Sequence, residues 1–156
     1  MTRRFMSAVA VGVLAATAMV AGPIAAASAS NVTLKRDLVR AVPKLKRSEL
    51  RVAAATKHFE STGSPAHLIA AGKAEDRVLS GLRAELRRTP ASSASGAKAK
   101  REMIKGLGLV LASNYSFNTH LRTGGHITMT QLKAERKQAE QGSKAFRDGT
   151  RLLLRT

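Results

Sequence analysis

The sequence predicts an all-α protein: an antiparallel, up-down-up-down four-helix bundle that follows an N-terminal signal peptide. Three observations carry that expectation. Apolar residues recur at alternating three- and four-residue spacing through four long segments. Each segment is bounded by glycine, proline or hydroxyl residues of the kind that start and stop helices. Strand-like alternation is scarce and aromatic residues make up only 3% of the chain. The connections between segments are short, which favours antiparallel neighbours.

The leader comes first. Residues 1–22 read MTRRFMSAVAVGVLAATAMVAG, with Arg3 and Arg4 as a positive start and no charged residue from Phe5 to Leu34. The apolar centre, Ala8 to Ala21, is shorter than the roughly 20 residues of a membrane-spanning helix. Pro23 interrupts the run, and Ala25-Ala26-Ala27 and Ala27-Ser28-Ala29 both fit an A-x-A cleavage site. Residues 1–29 therefore read as a secretory signal peptide, with an uncleaved anchor as the alternative. Arg3-Arg4 approach the twin-arginine pattern, but Ser7 stands where a bulky apolar residue is usual. The mature domain is expected at 30–156, enough chain to bury one core. It has no cysteine, so packing must hold it, and thiol catalysis, thiolate metal sites and c-type haem are excluded.

The first helix is expected over 33–59, with Leu38, Leu45, Val52 and Phe59 at seven-residue spacing and Pro43 kinking or restarting it. Ser61-Thr62-Gly63 ends it. Ser64 should cap the second helix, with Pro65 at its first position. Its seam is Leu68, Gly72, Glu75, Leu79, Leu82 and Leu86, and Thr89-Pro90 stops it. Small and polar residues then predict a flexible connection over 89–96. The third helix is expected over 97–122 with Met103, Leu107, Val110, Asn114, Phe117 and Leu121 on one side, closed by Thr123-Gly124-Gly125. Thr128 and Gln131 form a capping box for the fourth, with Ile127 and Leu132 placed for a hydrophobic staple. Leu132, Glu135, Ala139, Gly142, Phe146, Gly149 and Leu153 follow, and their small members would admit a neighbouring helix closely.

Catalytic motifs find little support. Ser95-Gly96-Ala97-Lys98 fits S-x-x-K and Arg122-Thr123-Gly124 is close to K-T-G, motifs of serine enzymes acting on cell-wall peptides and β-lactams. That chemistry needs a larger scaffold of sheet and helix, and this chain is too short and too helical. Glu75 and Glu135 lie on apolar seams, yet the Glu-x-x-His pairs of di-iron bundles are missing. Each is expected at the edge of its stripe or against an arginine, because an unpaired buried charge is costly. The sequence thus points to a protein that is not an enzyme and needs no resident cofactor.

Charge is the strongest functional signal. The chain carries 27 Lys and Arg against 10 Asp and Glu, a net +17; without the leader, 25 against 10 leave +15. In an antiparallel bundle Lys35, Arg36, Arg40, Arg87, Arg88, Lys98, Lys100, Arg101, Lys105, Arg151 and Arg155 gather toward one end. Such an end suits an anionic cell-wall polymer, a phospholipid surface or an acidic protein. Nucleic acid is disfavoured as native partner, because Phe59, Phe117 and Phe146 belong to the core and only Tyr115 is left to stack a base. The expected setting is secreted, with no membrane span after cleavage. A second reading uses the other end, where His58, His67, His120 and His126 flank the turns at 61–64 and 123–127. Imidazoles there would take Zn²⁺ or Cu²⁺, although ligand-like spacing is absent and histidine near a helix C-terminus also suits the helix dipole.

Overall fold

The computed structural model describes residues 31–124 and 128–156. The expected leader at 1–29, and His126 and Ile127 with it, lie outside the described residues. Among those described, four α-helices and no strand are found: α1 Val32–Thr62, α2 Ala66–Arg88, α3 Ala94–Thr123 and α4 Met129–Leu154. No helix among them is long and apolar enough to cross a membrane.

α1 buries Leu34, Leu38, Ala41, Leu45, Val52 and Ala55, one stripe at helical spacing. It continues through Pro43 without restarting. The proline is exposed, as is Val39, whose carbonyl loses its helical donor there. Water can meet that carbonyl, so the missing bond is tolerable. Gly63 closes α1 at φ 74°, donating its N–H to the Phe59 carbonyl at 2.7 Å; the left-handed position explains the glycine.

The start of α2 corrects the sequence expectation. Ser64 makes no capping bond, and Pro65 itself is the cap residue, with helical dihedrals. Proline presets φ for the helix, and the Pro65 carbonyl accepts from Ile69 N–H at 2.9 Å. Ser64 is drawn instead into the preceding turn, where its N–H donates to Thr62 Oγ1 at 3.2 Å. α3 also starts earlier than expected. Ser93 Oγ accepts from Gly96 N–H at 3.0 Å, so 94–96 are helical and the connection shortens to 89–93. The capping box of α4 is present: Gln131 N–H donates to Thr128 Oγ1 at 3.2 Å, and Thr128 N–H to Gln131 Oε1 at 2.9 Å.

Two apolar clusters form the core. The larger includes Leu34, Leu38, Leu82, Leu86, Met103, Leu107, Phe146 and Leu153. The smaller is Val52, Ala55, Leu68, Phe117 and Leu132. Between the clusters each helix brings in polar residues: Ser48 and Glu49 on α1, Glu75 on α2, Ser113 and Asn114 on α3, Glu135 on α4. α3 and α4 approach most closely. A Cβ on Gly149 would lie 2.7 Å from the Ala99 carbonyl oxygen, and one on Gly142 2.7 Å from that of Gly106. Further along, Ser113 Oγ donates to the Glu135 carbonyl at 2.9 Å. Between α2 and α3, Lys100 meets Thr89 and Asn114 meets Glu75; between α1 and α2, Asp37 meets Thr89 and His58 meets His67.

Candidate functional site

Asn31 ties together the end where the cations were expected. Its backbone adopts φ 63°, a conformation asparagine tolerates better than most residues. Asn31 N–H donates to Ser92 Oγ at 2.7 Å, and Asn31 Oδ1 accepts from Ser92 N–H at 2.9 Å. Asn31 Nδ2 donates to Ser93 Oγ at 2.9 Å and to Thr156 Oγ1 at 3.1 Å. The start of α1, the α2–α3 connection and the C-terminus thus meet at one side chain. Leu34, Leu86, Ala99, Met103 and Leu153, all inaccessible to solvent, pack beneath.

Nine of the eleven expected cations are exposed: Arg36 and Arg40 on α1, Arg87 and Arg88 on α2, Lys98, Arg101 and Lys105 on α3, and Arg151 and Arg155 at the end of α4. They form a collar more than a cap, since Lys105 lies 12 residues beyond Ser93, about 18 Å along the helix. Arg151 lies 3.9 Å from Asp148. Two cations are corrections. Lys35 is only 4% exposed, because it falls beside Leu34 and Leu38 on the inward side of α1, and its Nζ finds no hydrogen-bond partner among the described residues. Lys100 is half-buried and committed: its Nζ donates to the carbonyls of Arg87 and Thr89 at 3.1 and 2.7 Å. It thereby satisfies oxygens that α2 leaves free at its C-terminus.

The helix dipole separates the remaining cations. Arg87, Arg88 and Arg151 lie in the last turns of α2 and α4, where positive charge is favoured structurally. Arg36, Lys98 and Arg101 lie in the second turns of α1 and α3, neither of which has an acid in its first turn. Those three gain nothing from the dipole.

The polar layer holds the other charged groups of interest. Glu75, 6% exposed, accepts from Asn114 Nδ2 at 3.1 Å, and the same amide donates to Asp76 at 3.1 Å. Burial, with the Asp76 charge next, pushes the Glu75 carboxyl up to about 7; the Asn114 bond acts against the shift. Burial also raises Asp76. Glu135 is equally buried, with Ser116 Oγ donating to Oε1 and His120 Nε2 3.6 Å away. The sequence expected these glutamates at a stripe edge or against arginine; both are interior, with amide, hydroxyl and imidazole partners. Their spacing placed them on the seams, but nothing in the sequence paired them.

The three described histidines do not form one cluster. His58 and His67 meet edge to face with ring centroids 4.4 Å apart, both exposed. His120 is taken up by Glu135 on the α3–α4 side, and His126 lies outside the described residues. No group of three or more histidine or acidic side chains is placed to hold a metal among the described residues. No known family, curated protein or solved structure matches the chain.

Proposed function

We propose that this is a secreted, cationic helical-bundle protein, antiparallel and up-down-up-down, that binds an anionic partner outside the cytoplasm and catalyses no reaction. Cell-wall polymer, a phospholipid surface or an acidic protein has the required charge. The opposed pairings along α1–α2, α2–α3 and α3–α4 support the topology, and the leader-like residues 1–29 support the location. The observation that carries the reading is the placement of Arg36, Lys98 and Arg101. They are exposed within the first eight positions of their helices, away from the C-terminal turns where the dipole would favour a cation. An anion that desolvates several such cations gains charge-assisted hydrogen bonds from them.

The test is co-sedimentation of the purified protein with its own cell envelope across a salt series. Binding should fall steeply as salt rises, because exposed charges are screened. Lys98→Gln with Arg101→Gln and Lys105→Gln should weaken it more than Lys133→Gln with Arg136→Gln and Lys137→Gln at the start of α4. Salt-insensitive binding, or equal loss from the two sets, refutes the cationic end as the site. The His58–His67 contact favours a second reading, a metal- or small-ligand-binding bundle. Calorimetry with Zn²⁺ and Cu²⁺ on the parent and on His58→Ala decides it: a site lost with the imidazole supports that reading, and no heat from the parent removes it.

A further inference from the structure

A trough runs along the outside of the α1–α2 pair, starting at Arg40 of the collar and leading away from that end. Three recesses follow one another in it, of about 540, 160 and 490 Å³. The first and second share Lys44 and Val78; the second and third share Arg51 and Ala74. From Arg40 at one end to His58 at the other is 18 residues of helix, about 27 Å. The floor is small and apolar, with Ala54, Ala70, Ala74, Val78 and Gly81. The rim is cationic. Arg40, Lys44, Arg47 and Arg51 recur at spacings of four, three and four along α1, and Arg77 stands on α2. None of these five is in an ion pair among the described residues.

Ser48 supplies an independent observation. It lines the middle recess and is only 6% exposed, and its Oγ, sealed from solvent, has no hydrogen-bond partner among the described residues. Buried helical hydroxyls usually bond back to the preceding turn, as Thr56 and Thr150 do here at 2.9 Å. An unpaired buried hydroxyl is costly, and a turn of the Ser48 side chain toward the recess would let an acceptor in the trough relieve it.

The donor inventory selects the ligand. Guanidinium, ammonium and hydroxyl groups line the trough, and the one acidic side chain, Glu85, is confined to the first recess. The helix backbones have spent their own acceptors internally. A ligand bringing N–H groups would find almost no protein acceptor there and would leave them to water, so an extended polypeptide gains less than a ligand of acceptors alone. A phosphodiester brings acceptors only, and arginine matches its paired oxygens. No Phe or Tyr lines the three recesses, and the exposed His58–His67 pair stands only at the far end of the third, so nucleobases along most of the trough would find no aromatic face to stack on. We propose that the α1–α2 trough binds an extended, base-free phosphodiester polymer, its charges on the cationic rim and its carbon linkers on the alanine floor. The inference rests on the anionic-partner reading and adds a second surface, sharing only Arg40 with the collar.

The experiment titrates labelled poly(glycerol phosphate) into the full-length protein, with polyglutamate of equal charge in parallel. Poly(glycerol phosphate) should bind at least about tenfold more tightly than polyglutamate, and Arg47→Gln with Arg51→Gln and Arg77→Gln should weaken it by at least about tenfold. Lys98→Gln with Arg101→Gln and Lys105→Gln removes the same charge and should cost less than about threefold. Gly81→Leu fills the trough without altering charge, at an exposed position where a Cβ meets nothing within 4 Å, and should also weaken the polymer while helicity by circular dichroism is kept. Equal affinity for polyglutamate would assign the trough to acidic polypeptide and overturn the proposal. Equal loss from the two triple variants, or unchanged affinity in Gly81→Leu, would overturn it too while leaving the cationic collar standing. Failure of the parent to bind either polyanion would remove both readings.

Discussion

Between α3 and α4 the two backbones nearly touch: Gly106 faces Gly142, and Gly149 faces Ala99, each with no room for a further carbon. Between α1 and α2 residues just as small do the opposite, flooring an open trough under a rim of unpaired cations. Small side chains permit close approach but do not compel it. What closes the α3–α4 side is the set of large partners around its glycines, Phe146, Met103 and Val110, which fill the space alongside. The outer α1–α2 side has arginine and lysine in the flanking positions, and their charges stay in water. One pair is built for stability and the other leaves surface to be used.

The largest effect should come from emptying the closed side. Phe146 is 4% exposed in the larger core cluster, so Phe146→Ala should cost about 3–5 kcal/mol in denaturant unfolding. Loss of two rim charges in Arg47→Gln with Arg51→Gln should leave the midpoint almost unmoved, within about 0.5 kcal/mol. A Phe146→Ala midpoint equal to the parent's would show that the closed side is not the keystone.

Glu75, in the interior polar layer against Asn114 of α3, adds a test through pH. Its folded pKa, raised from 4.5 to about 7 by burial first and by Asp76 second, means the folded state holds a proton that the unfolded chain releases. The stability this gives is fully present below about pH 4.5 and is lost as pH rises through 7. Asp76, also raised, adds in the same direction. Glu75 alone would contribute a decline of the order of 3 kcal/mol across that window. Glu75→Gln should flatten the slope, unfolding later than the parent near pH 8 and close to it at pH 4.5. A parent whose stability rises from pH 5 to 8 contradicts this sign.

The positions of the α2 seam were legible in the sequence, and those of α4 except the buried Ser143 and Thr150. Leu68, Gly72, Glu75, Leu79, Leu82 and Leu86 are the buried positions of α2, and Leu132 through Leu153 on α4 are buried as their spacing required. Periodicity reports which way a residue faces, and that is why these succeeded. It failed for Lys35, since a charged residue beside the stripe reads as solvent-facing until the tilt of α1 is known. It also failed for Lys100, whose partners are backbone carbonyls that no side-chain pattern marks. The trough was visible only in part. Arg40, Lys44, Arg47 and Arg51 share one helix side in the sequence, but their relation to Ala70 and Ala74 depends on how α2 lies against α1. The early start of α3 was missed because Ala91 to Gly96 has the composition of a loop, while Ser93 alone decides where the helix begins.

An intermediate effect is expected where the closed side is overfilled. The Cβ of Gly149→Ala would stand 2.7 Å from the Ala99 carbonyl oxygen and 2.9 Å from the Met103 nitrogen. These are backbone atoms, so α3 and α4 must part to make room. The gain in helix propensity, about 1 kcal/mol, should be outweighed by overpacking of about 1–3 kcal/mol, and the thermal midpoint should fall. A raised midpoint would mean the two backbones separate at little cost, and the distinction between the sides would dissolve.

The smallest effect has the opposite sign and tests the same residue type on the open side. Gly81 lies on α2 in the trough, exposed, and a Cβ built there meets nothing within 4 Å. Its φ is ordinary, since the positive-φ glycines among the described residues are Gly63 and Gly124. No feature of the folded state therefore opposes alanine, while glycine in mid-helix loses more backbone freedom on folding than alanine does. Gly81→Ala should stabilise the protein by about 0.5–1 kcal/mol. Read together, a fall in midpoint for Gly149→Ala and a rise for Gly81→Ala establish that one helix pair is closed and the other open. Destabilisation by Gly81→Ala would mean that a second copy of the chain already fills the trough in solution, and sedimentation at two protein concentrations would then show a concentration-dependent dimer.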